Sequence, residues 1–538
     1  MKKLIILCPV LILALGACSL PFFSSAPEDT PPAGESYAPE ASVFADPADP
    51  GPSAVYADWS KLTGYEAPDE IYTRLSEKRL EELYPSGGYG RLLPYEGEKL
   101  YSAQDGWQIG SKRGFVTEYG LIVTDAVYSG ISPLYRDDEN GYSCDADMYV
   151  ISVYREAEEP GFDSYEMYAI AASNGSWVTG FDFTGVYYLN DKNAAVGIID
   201  ALNNHLVWYD NNGKIIFDSR DFEELEELAP WTLAWGANKF KDGWCPVSLE
   251  SGGYGYIDLE GRLMRSAVPN EPDGASGGEP PPVLIFEYAE AFSEGLAPVS
   301  QNGSYGFIDV SGNPVTATAY TSAFGFSDGK ALVCEGGKYY AVDKNGGVLF
   351  EFPAGGSVYP QMTGGKQYYN YIPNAVYEPV WYDTDFKPVE TEGKAAQPVY
   401  GTDAFSIETD EGVMILRDGK TVLLPGAESV YSAGKSGIAV AWMKDGGFTV
   451  FDAEGEPIAE TGENYSVIFT DIVTGREYIF FYDENSVGKA CDPETGEYVT
   501  NVTGAPINGL FPCGDSLTTG YKNSGNEWIF RIRLDISD

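Results

Sequence analysis

The sequence predicts an all-β protein of tandem β-hairpin or three-strand repeats, arranged as a propeller-like ring in preference to an open solenoid, with a short helix near the N-terminus. Three observations carry this reading. A frame centred on residues 292–320 recurs along the chain, and self-similarity of that kind outranks any local propensity. An Asp-x-x-Gly turn returns at Asp210, Asp258, Asp309, Asp343 and Asp452, with weaker forms at Asp383, Asp418 and Asp492, so that successive turns stand 34 to 51 residues apart. The composition, with 62 glycines and 14% aromatic residues, suits short strands joined by tight turns.

The clearest copy reads FSEGLAPVSQNGSYGFIDVSGNPVTATAY. Leu296 to Ser300 is a strand ended by the polar cluster Gln301 to Ser304, and Tyr305 to Asp309 is its hairpin partner. Asp309 to Gly312 has the Asp and Gly positions of a type I turn, after which Pro314 to Thr318 reads as a third strand. Residues 114–128 align with 306–320 without a gap, matching Gly114 with Gly306, Phe115 with Phe307, Gly120 with Gly312, Thr124 with Thr316 and Tyr128 with Tyr320. Phe240-Lys241-Asp242-Gly243 and Phe326-Ser327-Asp328-Gly329 repeat Phe292-Ser293-Glu294-Gly295.

This unit resembles that of the bacterial WG-repeat proteins, which runs Phe-x-x-Gly-Leu-Ala-x-Val, a Gly-containing turn, Trp-Gly-Tyr-Ile-Asp and a further strand. Tyr305-Gly306-Phe307-Ile308-Asp309 and Tyr254-Gly255-Tyr256-Ile257-Asp258 carry the match, with Tyr where the name-giving Trp would stand. The resemblance implies β repeats, often on exported proteins, and no defined chemistry.

Taken from its start, the chain divides into a signal peptide (1–17), a lipidated Cys18 with a disordered tether (18–57), a helical cap segment (58–100) and a β-repeat array (101–538). Lys2-Lys3 followed by apolar Leu4 to Leu15 has the layout of a signal peptide. Leu15-Gly16-Ala17-Cys18 resembles the bacterial lipoprotein box, which implies that Cys18 carries the lipid and begins the mature chain. No later stretch is long and apolar enough to span a bilayer, so the lipid is the expected membrane contact. Ser19 to Ala57, rich in Pro, Ala, Ser and Glu, cannot bury enough apolar surface to fold, and at about 3.1 Å per residue it would extend roughly 100 Å. Residues 66–84 predict a helix: Pro68 near its start, Asp69 and Glu70 in the first turn, Ile71, Leu75, Leu80 and Leu83 near a 3.6 period, and Pro85 as its stop. A second short acidic helix is expected at Asp221 to Leu228.

A formal net charge of −47 argues against nucleic-acid partners and against anionic head groups. The body cysteines, Cys144, Cys245, Cys334, Cys491 and Cys513, are odd in number and far apart, so they read as buried small hydrophobes and not as a disulfide framework. No CxxC pair exists, and His205 is the one histidine, placed beside a strand; neither zinc chemistry nor a Ser-His-Asp mechanism is expected. Gly514-Asp515-Ser516-Leu517 spells the GDSL esterase block, but no His follows it. Gly419-Lys420-Thr421 and Gly434-Lys435-Ser436 lack the Gly that closes a phosphate loop. Asp137 to Asn140 and Asp145-x-Asp147 have oxygen ligands for Ca²⁺ without the rest of an EF loop. No cofactor and no metal is expected.

In repeat arrays the strands are scaffold, and insertions map to loops that carry function. Residues 265–282 form one insertion, a flap with Pro280-Pro281-Pro282. Residues 353–381 form another, whose Tyr359, Tyr368, Tyr369, Tyr371 and Trp381 are the candidate ligand-binding residues, since aromatic faces beside amide partners suit sugar rings or peptides. The expected function is non-catalytic binding or scaffolding on the outer, extracytoplasmic face of the bacterial cell membrane, with a lipid anchor and an envelope glycan or protein as partners. The alternative is a cell-envelope glycan- or peptide-processing hydrolase, which needs two carboxylates at a suitable separation among the 81 acids.

Overall fold

A computed structural model describes the chain from residue 89 to 533, apart from 102–107, 119, 121, 138–142, 156–164, 190–191, 223–224, 226, 237–238, 267–280, 364–365, 375–378, 392–393, 400–401, 403, 418, 463–465, 484 and 515–517. The leader, Cys18, the tether, the helix at 66–84 and the body of the 265–282 flap lie outside these residues. Within them the chain is a succession of small antiparallel sheets whose strands pair with their sequence neighbours. Taken in order, the sheets cover 92–117, 130–172, 185–218, 244–258, 288–309, 322–351, 356–382, 397–425, 427–462, 466–500 and 511–533, and are called first to eleventh below. A two-residue hairpin, Glu390–Thr391 with Lys394–Ala395, sits between the seventh and eighth. The array starts earlier than the sequence suggests: Leu92–Tyr101 is a strand of the first sheet and not part of a helical cap, because Leu92, Leu93 and Tyr95 are buried against neighbouring sheets.

One unit shows why the sequence repeats. In the fifth sheet Leu296–Gln301 pairs with Ser304–Asp309 in the register Leu296↔Asp309 and Val299↔Gly306. Asp309 then caps its own turn, its Oδ1 accepting from Ser311 N and Asn313 N at 2.9 Å each, while Gly312 takes the left-handed φ of +78° that an L side chain resists. Asp210, Asp258, Asp343, Asp383 and Asp452 cap in the same way. Three copies lack the Gly: Asp383 with Phe386 at φ +62°, and two further ones, Asp483 with Ser486 at φ +60° and Asn523 with Asn526 at φ +61°.

The expected third strand, Pro314 to Thr318, is not a strand. The chain there arches back through bridges Ile308↔Pro314 and Tyr305↔Tyr320, and the Thr316 hydroxyl accepts from Phe307 N at 3.0 Å, a side chain replacing a ladder partner. The third strand comes instead from upstream, Tyr288–Ala289. Residues 114–128 repeat this arch, with Phe115 N donating to the Thr124 hydroxyl at 2.8 Å and a bridge Arg113↔Tyr128. Of the short acidic helix expected at Asp221 to Leu228, the described residues show 3-10 geometry at Leu225 and Glu227 after a 3-10 turn over Ser219–Asp221, and the α-helix of the described residues is Thr232–Gly236.

The Phe of each Phe-x-x-Gly stretch plugs the interface to the preceding unit. Phe240, Phe292 and Phe326 are buried against Trp208, Tyr256 and Phe307, with ring centroids 5.1, 4.9 and 4.8 Å apart, and each of those partners stands two residues before a turn aspartate. The acidic turn residues add polar stitches: Gly295 N donates to Asp242 at 2.7 Å and Gly329 N to Glu294 at 2.9 Å. Apolar clusters of this kind join the first sheet to the second, the second to the third, and so on to the tenth and eleventh. A further cluster joins the eleventh to the first: Leu510, Tyr521 and Phe530 pack with Leu93, Tyr95, Val116 and Ile122. The last strand, Trp528–Arg533, hydrogen-bonds within its own sheet, so this contact is face to face and not a shared ladder.

The turn aspartates make acid sensitivity predictable. At Asp309 burial would raise the carboxyl pKa, but hydrogen bonds from Asn313 and Ser311 outweigh it and hold the value below the usual range; at Asp483 the Val487 N–H and Lys489 do the same. A depressed folded value contributes stability above the unfolded pKa of about 3.9 that is lost as pH falls through the folded one. Asp309→Asn keeps an acceptor, as Asn523 shows, and loses the charge. Its thermal midpoint is expected to fall less than the wild type's between pH 5 and pH 3, and equal slopes would refute this assignment.

Candidate functional site

A cavity of about 620 Å³ lies where the two ends of the array meet. The first sheet supplies Pro94, Glu96 and Arg113, the edge strand of the second supplies Ile131, Pro133 and Tyr135, and the far wall is the segment around Pro506 with Pro512, Thr519 and Tyr521. Its walls are fixed from behind. The buried Tyr521 hydroxyl donates to Pro94 O, Tyr95 donates to Thr124 O at 2.9 Å, and the Tyr95 and Phe530 rings meet edge to face at 5.3 Å. Asn508 Nδ2 reaches Glu118 at 3.2 Å across the same junction. Burial pushes the Tyr521 phenol far above its ordinary value, so it remains a neutral donor.

The chemistry on offer is mostly contact and hydrogen bonding. Four prolines line the cavity with apolar rings and no N–H groups, and Tyr135 stands half exposed among the lining residues. Arg113 is the cation, held by Ile131 O at 3.2 Å and Glu96 at 3.4 Å. Glu96 is the one carboxylate in the lining, and Arg113 is tied to it. A volume of this size suits a few residues of an extended chain.

The candidate aromatics of the 353–381 insertion do not form a binding face. Tyr368 and Trp381 are buried between the seventh and eighth sheets against Phe405, at 4.7 and 5.8 Å, and Tyr369 and Tyr371 are buried between the sixth and seventh, Tyr369 at 5.3 Å from Phe352. They are core because the segment is an ordinary sheet, Gly356–Thr363 with Lys366–Pro373 and Val380–Tyr382, and alternate residues of a strand buried on both faces must be apolar. Tyr359 is the exception, at 49% exposure.

Other motifs find structural employment. Lys435 N and Ser436 N, in the incomplete phosphate loop, donate to the carboxylate of Glu477, at 2.5 and 3.2 Å. Asp145, considered as a calcium ligand, is buried in an ion pair with Arg91, and the described residues hold no cluster of three metal-ligating side chains. Cys245, Cys334 and Cys513 are buried thiols, and burial lifts Cys245 to about 12. Between the tenth and eleventh sheets a smaller cavity brings Asp492 and Glu497 near Tyr478 and Phe511, but Asp492 is tied to Arg476 at 2.6 Å and to Glu494 N at 2.9 Å. No helix of the described residues is long and apolar enough to cross a membrane.

What sequence reasoning missed is Trp231 and Trp235, on the Thr232–Gly236 helix and the residue before it. Their i, i+4 spacing in the uncharged stretch APWTLAWG was the available signal. The cavity itself had none, since residues 94–135 and 503–521 adjoin through the fold alone.

Comparison with known proteins adds a family signal. No curated protein matches the chain. Among solved structures, similarity extends to the computationally designed Ika8 protein (12% identity over 57% of this chain and 94% of that one, TM-score 0.26). BamB from Moraxella catarrhalis is similar at 11% identity over 64% and 94%, TM-score 0.22, and a eukaryotic initiation factor at 9% over 83% and 96%, TM-score 0.30. At these scores the likenesses carry no argument about this chain's function. The family model described as "WG containing repeat" matches residues 284–305 and 305–339, the stretch that builds the fifth sheet and begins the sixth.

Proposed function

We propose that this chain is a bacterial WG-repeat lipoprotein whose sheets close into a propeller-like ring, displayed on the outer face of the cell membrane through Cys18, and that it works by binding without catalysis. The observation that supports this best is the cavity at the junction of the first and eleventh sheets: it holds about 620 Å³, its walls are anchored by buried tyrosines, and its lining offers apolar surface and the Arg113 guanidinium. A peptide segment of an envelope protein fits that lining. The signal-like leader and the Pro-rich tether support display at a distance from the bilayer.

The hydrolase reading has one observation of its own, Asp492 with Glu497 beside two aromatic rings, and the tie of Asp492 to Arg476 weighs against it. Both readings are tested together with the intact protein. Cys18→Ala is expected to leave the membrane fraction. Thr519→Trp, which fills the cavity, is expected to lower capture of an envelope protein at least tenfold while Glu497→Gln leaves it unchanged. Equal capture by Thr519→Trp sinks the cavity assignment, and turnover of a glycan or peptide that is lost in Glu497→Gln replaces binding with hydrolysis.

A further inference from the structure

We propose a second binding site, away from the cavity: Trp231 and Trp235 form a platform for a neutral pyranose chain. Trp235 is 72% exposed and Trp231 41%, with ring centroids 5.9 Å apart and planes at 59°. Exposed aromatic pairs are unfavourable in water, and this one is held in place at a further cost. Trp231 sits at φ +70°, a conformation rarely adopted by a bulky L residue. The surroundings enforce it. Trp231 N donates to Ala201 O and Trp235 N to Trp231 O, each at 2.9 Å, and the buried Asn204 accepts from Leu233 N at 2.9 Å while donating to Ala229 O at 3.0 Å. Thr232 accepts from Ser248 N, and Leu233 and Ala234 anchor the helix in the cluster between the third and fourth sheets. The result is a rigid inner face and two rings turned outward, which is preorganisation for a ligand and not packing.

Size and charge select the ligand. An indole buries at most about 250 Å², so rings that are 72% and 41% exposed leave roughly 300 Å² to cover between them, under the roughly 500 Å² per partner that a specific protein interface needs, but enough for the C–H faces of one or two sugar rings. The stretch APWTLAWG carries no formal charge in a chain of net −47, so an uncharged partner loses nothing there, whereas anionic head groups are repelled by the protein as a whole. Leu202, which follows the Ala201 that accepts from Trp231 N, is itself 59% exposed.

The test uses the intact protein, with cellohexaose and N-acetylglucosamine hexamer as probes in calorimetry, phosphatidylcholine and phosphatidylglycerol vesicles in co-sedimentation, and sedimentation velocity for self-association. At least one neutral hexasaccharide is expected to bind, Trp235→Ala to weaken it at least tenfold, and Trp235→Phe to keep most of it. Both variants should melt with the wild type, since the side chain is exposed. Binding by neither sugar, or equal binding by Trp235→Ala, overturns the proposal. Vesicle binding or self-association that depends on Trp235 also overturns it, and reassigns the rings to a bilayer or a second copy. Thr519→Trp, which lies elsewhere, should not change sugar affinity, so this test can fail independently of the cavity.

Discussion

Arg91→Met is expected to lower stability by about 3–5 kcal/mol, because it leaves Asp145 as an uncompensated charge in a dry interior. Both side chains are under a tenth exposed, and the guanidinium also lies over the Tyr149 ring at 5.3 Å. Among the described residues Arg91 Nε and Nη2 and Asp145 Oδ1 have no hydrogen-bond partner, so there the pair is only partly satisfied even when intact. Burial already lifts the Asp145 carboxyl above its ordinary range, against the pull of Arg91, and removing Arg91 leaves burial unopposed. The variant's Asp145 is therefore expected to take up a proton at a higher pH than in the wild type. Replacing both residues, Arg91→Met with Asp145→Leu, should restore most of the loss, since an incompletely satisfied buried pair exchanged for apolar groups is often neutral or better. Denaturant midpoints of the two singles and the double decide this: a double as unstable as Arg91→Met would mean that the pair contributes specific structure beyond its charge balance.

Phe307→Ala should cost a similar amount, about 3–5 kcal/mol, by opening a cavity that the interface between the fifth and sixth sheets cannot refill. Phe307 is fully buried, meets Phe326 at 4.8 Å and Tyr320 at 6.3 Å, and its backbone N–H is held by Thr316. The same substitution at an exposed aromatic such as Tyr359 should change stability by less than about 0.5 kcal/mol. If chemical denaturation finds Phe307→Ala within 1 kcal/mol of the wild type, the aromatic plug between units is not what holds them together.

These residues also show what the sequence made visible. The aspartate turns, the Phe-x-x-Gly plugs and the equivalence of 114–128 with 306–320 were legible because each depends on a local requirement: a carboxylate two to four residues from the N–H groups it caps, a glycine at positive φ, an aromatic at a fixed offset from the turn. Where backbone needs were met by a side chain, strand patterning misled. Pro314 to Thr318 alternates like a strand, yet Thr316 satisfies Phe307 N from within an arch. Aromatic content misled in the same way at 368–371, because rings that cover an array and rings that fill it have one composition and differ in which sheet comes next. The cavity depends on contact between residues more than 400 positions apart, as Tyr521 and Pro94 show, and nothing local encodes that.

That contact is also the point on which the ring depends. A double-mutant cycle on Tyr95 and Phe530, whose rings meet at 5.3 Å across the junction of the first and eleventh sheets, tests it directly. With Tyr95→Leu, Phe530→Leu and the double variant unfolded by denaturant, a closed array predicts a coupling of about 0.5–1.5 kcal/mol, the range for an edge-to-face aromatic pair. Additivity within about 0.3 kcal/mol would mean that the two ends do not meet in solution, and would contradict both the ring and the cavity built on it.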